Sequence, residues 1–142
     1  MAAALIVGAG DATGGAIAKA FAREGYTACV NRRARNADEL EALVKSIHAE
    51  GYAARAYPAD ARIEEEVVAM VDAIERDVGP IEVAVFNIGA NVNFSILDMT
   101  SQVYRKVWEM AAFAGFLMGR EAARRMVERQ SGTIIFTGAT AS

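Results

Sequence analysis

The sequence contains few of the residues that form disulfides or bind transition metals: among its 142 residues there is one cysteine, Cys29, and one histidine, His48. A single cysteine cannot form an internal disulfide, and these two residues provide too few ligands for a zinc site. We therefore predict a reducing, cytoplasmic location and no bound metal.

Long apolar runs and an excess of positive charge are also missing. No apolar run reaches the ~18 residues that are needed to span a bilayer, and the first residues lack the charged start of a secretory signal. The formal net charge is -3, whereas binding to nucleic acid requires a basic face. We therefore expect neither membrane insertion nor nucleic-acid binding. The expected partners are small molecules and other copies of the chain.

The chain alternates short apolar runs with longer segments of helical periodicity. This alternation is typical of a single α/β domain in which right-handed crossovers join parallel strands and helices cover both faces of the sheet. We therefore predict a doubly wound parallel sheet with strand order 3-2-1-4-5. The predicted strands are Ala3–Val7, Thr27–Val30, Ala53–Tyr57, Glu82–Phe86 and Thr133–Thr137, and the predicted helices are Thr13–Glu24, Asp38–Glu50, Ile63–Val78 and Gln102–Gln130.

The fourth predicted helix is almost continuously apolar in its middle, over residues 110–119. Such a segment suits a helix that is buried on more than one side. One interpretation is close packing on the sheet alone. The other is an additional contact with a second copy of the chain, which would make a homo-oligomer. The contact side chains would then be Met110, Phe113, Phe116 and Leu117.

A glycine-rich turn, Gly8-Ala-Gly-Asp-Ala-Thr-Gly-Gly15, joins the first strand to the first helix. Glycines permit positive φ and close backbone approach, and a helix N-terminus offers free N–H groups to a pyrophosphate. The turn therefore predicts a dinucleotide site, with a purely structural turn as the alternative. The carboxylate of Asp11 opposes phosphate binding unless it caps the helix.

This turn resembles the Gly-x-x-x-Gly-x-Gly turn of short-chain dehydrogenases/reductases. Gly8 and Gly14 match its first and third glycines, Ala12 stands at the middle one, and Gly10 is additional. The segment Asn87-Ile-Gly89-Ala after the fourth strand resembles the family's Asn-Asn-Ala-Gly and matches it directly at its first residue.

The acidic residue Asp60, just past the third predicted strand, also resembles a family residue. That residue fixes the adenine ring of the cofactor. The alternative is that Asp60 caps the N-terminus of the third helix, and both roles could hold at once.

The segment Asn31-Arg-Arg-Ala-Arg35 after the second strand bears on the choice of nicotinamide cofactor. An acid at this place accepts hydrogen bonds from the ribose 2′-hydroxyl of NAD(H), whereas arginine suits the 2′-phosphate of NADP(H). Arg32 and Arg33 therefore favour NADP(H). NAD(H) and a solvated basic loop are the alternatives. The candidate cofactor-binding residues are Gly8, Gly10, Asp11, Ala12, Thr13, Gly14, Arg32, Arg33, Asp60, Asn87 and Gly89.

Catalysis in the family uses a serine, an asparagine, a tyrosine and a lysine, and this sequence departs from that pattern. The position of the serine is Ala139, and the position of the asparagine is Ala112, or Ala111 with a one-residue shift. Thr140 and Ser142 carry nearby hydroxyl groups. None of the four tyrosines has a lysine four residues later.

The resemblance implies a Rossmann-like fold and an NAD(P)-dependent oxidoreductase that acts on a small-molecule carbonyl or alcohol. In the family the fold continues past this point, so we expect residues 1–142 to be a truncated dinucleotide-binding domain, incomplete at its C-terminal side and inactive alone. The alternative is a catalytically silent nucleotide-binding or scaffolding protein, which Ala139 and Ala112 favour.

Overall fold

The computed structural model of the chain describes residues 2–10, 12–89 and 92–139. Its strands, β1 to β5, and its helices, α1 to α5, alternate along the chain up to β4, and α4 and α5 then follow one another before β5. The strands form one parallel sheet in the order β3-β2-β1-β4-β5, which confirms the predicted fold class and strand order. The strands are Ala3–Val7, Thr27–Asn31, Ala54–Ala56, Ile81–Phe86 and Thr133–Phe136, and the helices are Thr13–Arg23, Ala37–Ala49, Glu64–Asp77, Ser101–Trp108 and Ala114–Arg129.

Apolar side chains pack on both faces of the sheet. Side chains of a strand alternate between the two faces, so Leu5 and Val7 of β1 join one cluster while Ile6 joins the other. The first cluster also includes Ile74 of α3, and the second includes Leu40 of α2. Every residue of β1 is buried, and this explains why the strand is a continuous apolar run in the sequence.

The observed element boundaries lie within a few residues of the predicted ones. β2 extends through Asn31, and β3 is shorter than the predicted strand 53–57. β3 is an edge strand of the described sheet and pairs with β2 alone, over three residue pairs, so nothing on its other side extends the ladder. Gly25 and Gly51 adopt positive φ where α1 and α2 end, a conformation that glycine tolerates best.

The fourth predicted helix contains a π-helical turn. α4 and α5 are joined by a π-helical turn, Glu109–Phe113, so the helical segment is continuous but not uniform. Leu117 is 1% exposed and cannot form the contact with a second copy that was predicted for it, whereas Phe116 is 54% exposed and Trp108 is 49% exposed. None of the described helices is long and apolar enough to cross a membrane.

Candidate functional site

An open cavity of about 280 Å³ lies at the carboxyl ends of the strands. In the sheet, β2 and β3 lie on one side of β1, and β4 and β5 lie on the other, so the strand order reverses at β1. Ligands of open α/β sheets bind at such a point. Ala12, Thr13 and Gly14 do not line the cavity, and Asp11 lies outside the described residues. Among the predicted residues, the wall contains Gly8, Gly10, Arg32, Arg33, Asp60, Asn87 and Gly89.

The glycines of the turn after β1 are not equivalent. Gly8 has φ +84°, and a Cβ there would lie 2.7 Å from the carbonyl oxygen of Asn87. A Cβ on Gly14 would overlap the carbonyl oxygen of Gly8, and a Cβ on Gly15 would lie 2.8 Å from that of Gly10. By contrast, no described atom lies within 4 Å of a Cβ placed on Gly10. The fold therefore requires Gly8 and Gly14, and Gly10 leaves open space at the cavity wall.

Asn31, which sequence reasoning did not single out, holds three strand ends together. Its carbonyl oxygen accepts hydrogen bonds from the N–H groups of Gly8 at 3.1 Å and Ala9 at 3.0 Å. Its Nδ2 donates to the carbonyl oxygens of Tyr57 at 2.9 Å and Ala59 at 3.1 Å. The side chain is buried. The signal available in the sequence was a polar residue directly after an apolar run.

Asn87 connects the turn after β1 to the end of β5. Its Nδ2 donates to the carbonyl oxygen of Gly8 at 3.3 Å, and its Oδ1 accepts from the hydroxyl group of Thr137 at 2.9 Å. Both polar ends of this side chain are therefore engaged. Asn87 shapes the cavity by holding its backbone in place.

Four arginines surround the cavity, and they differ in their partners. Arg32 Nη1 lies 2.5 Å from Glu39 Oε2. Arg62 binds Asp60 with two nitrogens, Nε to Oδ1 at 2.9 Å and Nη2 to Oδ2 at 2.7 Å. The remaining two, Arg33 and Arg35, form no ion pair among the residues that the structure describes.

The guanidinium group of Arg33 lies near two other arginines, Arg35 and Arg62, and near one acid, Asp60. Burial, followed by the nearby charges of Arg35 and Arg62, lowers the pKa of Arg33 below its usual range. Lowering of this kind means that the charged form is disfavoured where it stands. An anion bound in the cavity would relieve this repulsion, so the cavity is suited to a phosphate.

Asp60 is bound by Arg62 and is not the N-cap of α3. The hydrogen bond from Arg62 is the main cause that lowers the pKa of Asp60 below its usual value. Ile63 is the N-cap of α3, without a side-chain hydrogen bond, so the alternative of an Asp60 cap is wrong. Asp60 Oδ1 instead accepts from the backbone N–H of Arg62 at 3.0 Å, because the chain turns between them before the helix begins.

The two positions that match the family's catalytic asparagine and serine do not line the cavity. Ala112 is exposed in the π-helical turn and Ala139 is exposed after β5, and neither lines the wall. Thr140 and Ser142 lie outside the described residues. The lining that the structure describes has no serine, threonine, tyrosine, histidine or lysine. The acid in this lining is Asp60, and both of its oxygens are bound by Arg62.

No metal site is evident in the described ranges, where no three His, Cys, Asp or Glu side chains are grouped so that they could hold an ion. Sequence reasoning also missed Arg62, Asn36 and Met110, which all line the cavity. Arg62 follows Asp60 by two residues in the sequence. This close spacing of an acidic and a basic residue was the signal for their ion pair. Met110 reaches the wall from the π-helical turn, which the sequence did not predict.

The sequence matches the family model described as short chain dehydrogenase over residues 2–142. It is 30% identical over 132 residues to 2-dehydro-3-deoxy-D-gluconate 5-dehydrogenase of Formosa agariphila, covering 93% of this chain and 50% of that protein. It is 31% identical over 140 residues to 2,3-dihydro-2,3-dihydroxybenzoate dehydrogenase of Bacillus subtilis, covering 98% and 52%. The chain thus spans about half the length of the curated relatives it matches.

Solved structures agree with the fold. A short-chain dehydrogenase from Rhodopseudomonas palustris shares 51% identity with a TM-score of 0.92, over 99% of this chain and 65% of that chain. The L-sorbose reductase of Gluconobacter frateurii, complexed with NADPH and L-sorbose, shares 26% identity with a TM-score of 0.88, over 97% and 52%.

Proposed function

The chain belongs to the short-chain dehydrogenase family, and on that premise we propose that its cavity binds NADP(H) in preference to NAD(H). The observation that carries this proposal is the pair Arg33 and Arg35, which stand at the cavity without a carboxylate partner among the described residues. Asp60 is the acid in the described wall, and both of its oxygens are bound by Arg62. A free acid that would accept from a ribose 2′-hydroxyl is therefore not found in the described part of the wall.

The residues present fit a dinucleotide. The open space at Gly10 allows a ligand to approach the backbone, and the close contact between Gly8 and Gly14 keeps the turn tight. α1 begins three residues after the cavity-lining Gly10, and the backbone N–H groups at its start suit the pyrophosphate, while Arg33 and Arg35 suit the 2′-phosphate. Asp60, which Arg62 binds through both oxygens, is the residue that we propose for the adenine ring, as the family resemblance implies.

For the whole protein we propose the reaction class of the family, hydride transfer between nicotinamide and a carbonyl or alcohol carbon. When bound, the cofactor supplies or accepts the hydride. Within these 142 residues no tyrosine is followed four positions later by a lysine, and Ala139 and Ala112 stand at the serine and asparagine positions. These residues therefore bind and orient the cofactor without moving a proton at the substrate.

A catalytically silent nucleotide-binding protein is the second candidate function. It is favoured by the same two alanines, because a methyl group neither donates nor accepts a proton. Both candidates share the cofactor site and differ only in the chemistry that follows binding.

Calorimetric titration with NADPH and NADH tests the proposed cofactor. We expect tighter binding of NADPH. Arg33→Ala should weaken NADPH binding by about tenfold, the effect of losing one charge-assisted hydrogen bond, and leave NADH binding unchanged. Arg76→Ala is the matched control, because Arg76 is exposed at the end of α3 and pairs with Asp77 away from the cavity. Equal affinities, or a preference for NADH, would contradict the proposal.

A further inference from the structure

The ion pair between Arg32 and Glu39 sets one arginine of the cavity apart from its neighbours. Glu39 lies in the first turn of α2, and its Oε2 is 2.5 Å from Arg32 Nη1. The same oxygen accepts a hydrogen bond from Asn36 Nδ2 at 3.3 Å. Two cavity-lining side chains are therefore held by a single carboxylate.

Glu39 itself does not line the cavity. It stands in the neighbouring groove between α1 and α2, together with Lys19 and Leu43, whereas Arg32 and Asn36 face the cavity. A ligand in the cavity would therefore meet Arg32 and not the carboxylate. Any influence of Glu39 on that ligand must pass through the arginine that it binds.

A carboxylate and a phosphate compete for the same guanidinium nitrogens. Arg32 already donates to Glu39, so a phosphate near it must displace that carboxylate or share its donors. Arg33 and Arg35 impose no such cost, because the described residues give them no carboxylate to release.

Building on the NADP(H) site proposed above, we propose that Glu39 is a specificity-determining residue of this chain. It neutralises Arg32 and so reduces the preference for a 2′-phosphorylated nucleotide. Glu39 is a positioning residue: it holds Arg32 and Asn36 through one oxygen and contacts no ligand. The discrimination against the unphosphorylated cofactor then depends on Arg33 and Arg35.

The test compares adenosine 2′,5′-bisphosphate with adenosine 5′-monophosphate, two probes that differ in the 2′-phosphate alone. Calorimetry of Glu39→Gln should show a gain in affinity of about fivefold for the bisphosphate, as expected when one competing charged acceptor is removed. The affinity for the monophosphate should not change. Glu41→Gln is the matched control, because it removes the same charge from an exposed residue two positions further along α2, on another face of the helix.

A double-mutant cycle checks that the effect passes through Arg32. Glu39→Gln should have no effect on bisphosphate affinity when it is made in the Arg32→Ala background, since the arginine that it releases is gone. A gain that persists there, or that Glu41→Gln reproduces, would show a general charge effect and overturn the inference. Weaker binding of the monophosphate in Glu39→Gln would overturn it as well, because Glu39 would then contact the ribose.

The bisphosphate preference of the unmodified chain tests the proposed function, and the change of that preference in Glu39→Gln tests the role of Glu39. If the unmodified chain prefers the bisphosphate and Glu39→Gln leaves that preference unchanged, the inference alone is wrong. If the unmodified chain shows no preference for the bisphosphate, the NADP(H) proposal fails, and the inference fails with it.

Discussion

Three glycines in the turn after β1 have separate purposes at the scale of single residues. Gly8 adopts a positive φ against Asn87, Gly14 packs on the carbonyl group of Gly8, and Gly10 faces open space. The first two maintain the fold of the turn, and the third leaves room for a ligand. A sequence motif cannot separate these purposes, because each depends on what lies opposite the missing Cβ.

Substitution of these glycines should separate stability from binding. We expect Gly14→Ala to lower the free energy of unfolding by about 2 kcal/mol or more, because its Cβ overlaps a backbone carbonyl that cannot move freely. Gly10→Ala should leave stability within about 0.5 kcal/mol and weaken cofactor binding. Urea unfolding and NADPH titration measure the two effects. If Gly10→Ala unfolds the protein, or binds NADPH as well as the unmodified chain, this assignment is wrong.

The hydrogen-bond partners of Asn31 and Glu39 could not be predicted from the sequence. Asn31 bonds to carbonyl groups 26 and 28 positions later, and Glu39 binds an arginine seven positions earlier across a loop. Sequence alone indicated which residues stand after each strand. It could not indicate which arginine is paired with an acid, because that depends on how the chain turns into α2.

At the scale of elements, the strands and the first three helices follow from apolar periodicity and from the glycines between them. The π-helical turn Glu109–Phe113 did not, because one extra residue in a helical turn leaves the periodicity of a mostly apolar segment almost unchanged. Ion pairs between α3 and α5 were also not predicted. They join Glu64 to Arg120, Asp72 to Arg125 and Glu75 to Arg129.

The pair Glu75–Arg129 should contribute most among these ion pairs. Arg129 donates to both oxygens of Glu75 at 3.0 Å and to the carbonyl oxygen of Ile81 at 3.0 Å, and Glu75 Oε1 accepts from the N–H of Ile81 at 3.1 Å. We expect Arg129→Ala to lower the free energy of unfolding by about 2 kcal/mol, since it leaves the partly buried Glu75 without its charged partner.

The control for this prediction is Arg124→Ala on the same helix. Arg124 is exposed, and its nitrogen lies 3.3 Å from an oxygen of Glu121 three residues earlier. Its loss should change stability by less than about 0.5 kcal/mol, as is typical of surface pairs. Equal losses of unfolding free energy in the two variants, measured by urea unfolding, would contradict the prediction. The hydrogen bonds to Ile81 of β4 would then add nothing to stability.

At the scale of the whole molecule, aromatic side chains form an exposed patch on the helical segment. Phe113 stacks between Trp108 and Phe116, with ring centroids 5.6 Å and 6.2 Å apart. Phe136 of β5 is 56% exposed. Apolar surface of this kind is often covered by another protein. The sequence predicted the apolar segment but not which of its side chains point outward, since Leu117 is buried and Trp108 is exposed.

We therefore expect the chain to self-associate through Trp108 and Phe116. Sedimentation at tens of micromolar should show dimers or larger species, and Phe116→Ser should shift the population toward monomer by removing exposed apolar area. Val127→Ser serves as the comparison, because Val127 is 73% exposed on the same helix outside the aromatic patch. A monomer at all concentrations would contradict this expectation.

An NMR titration of the isotopically labelled chain with NADPH tests the location of the cofactor site most directly. The amide signals that shift should belong to residues 8–10, 31–36, 59–62 and 87–89, which include most of the cavity lining, and to residues 12–14 at the start of α1. NADH should shift the signals of residues 32–35 much less, because it lacks the 2′-phosphate. Shifts confined to the groove between α1 and α2 or to α4 and α5, or no shifts at saturating NADPH, would contradict the account.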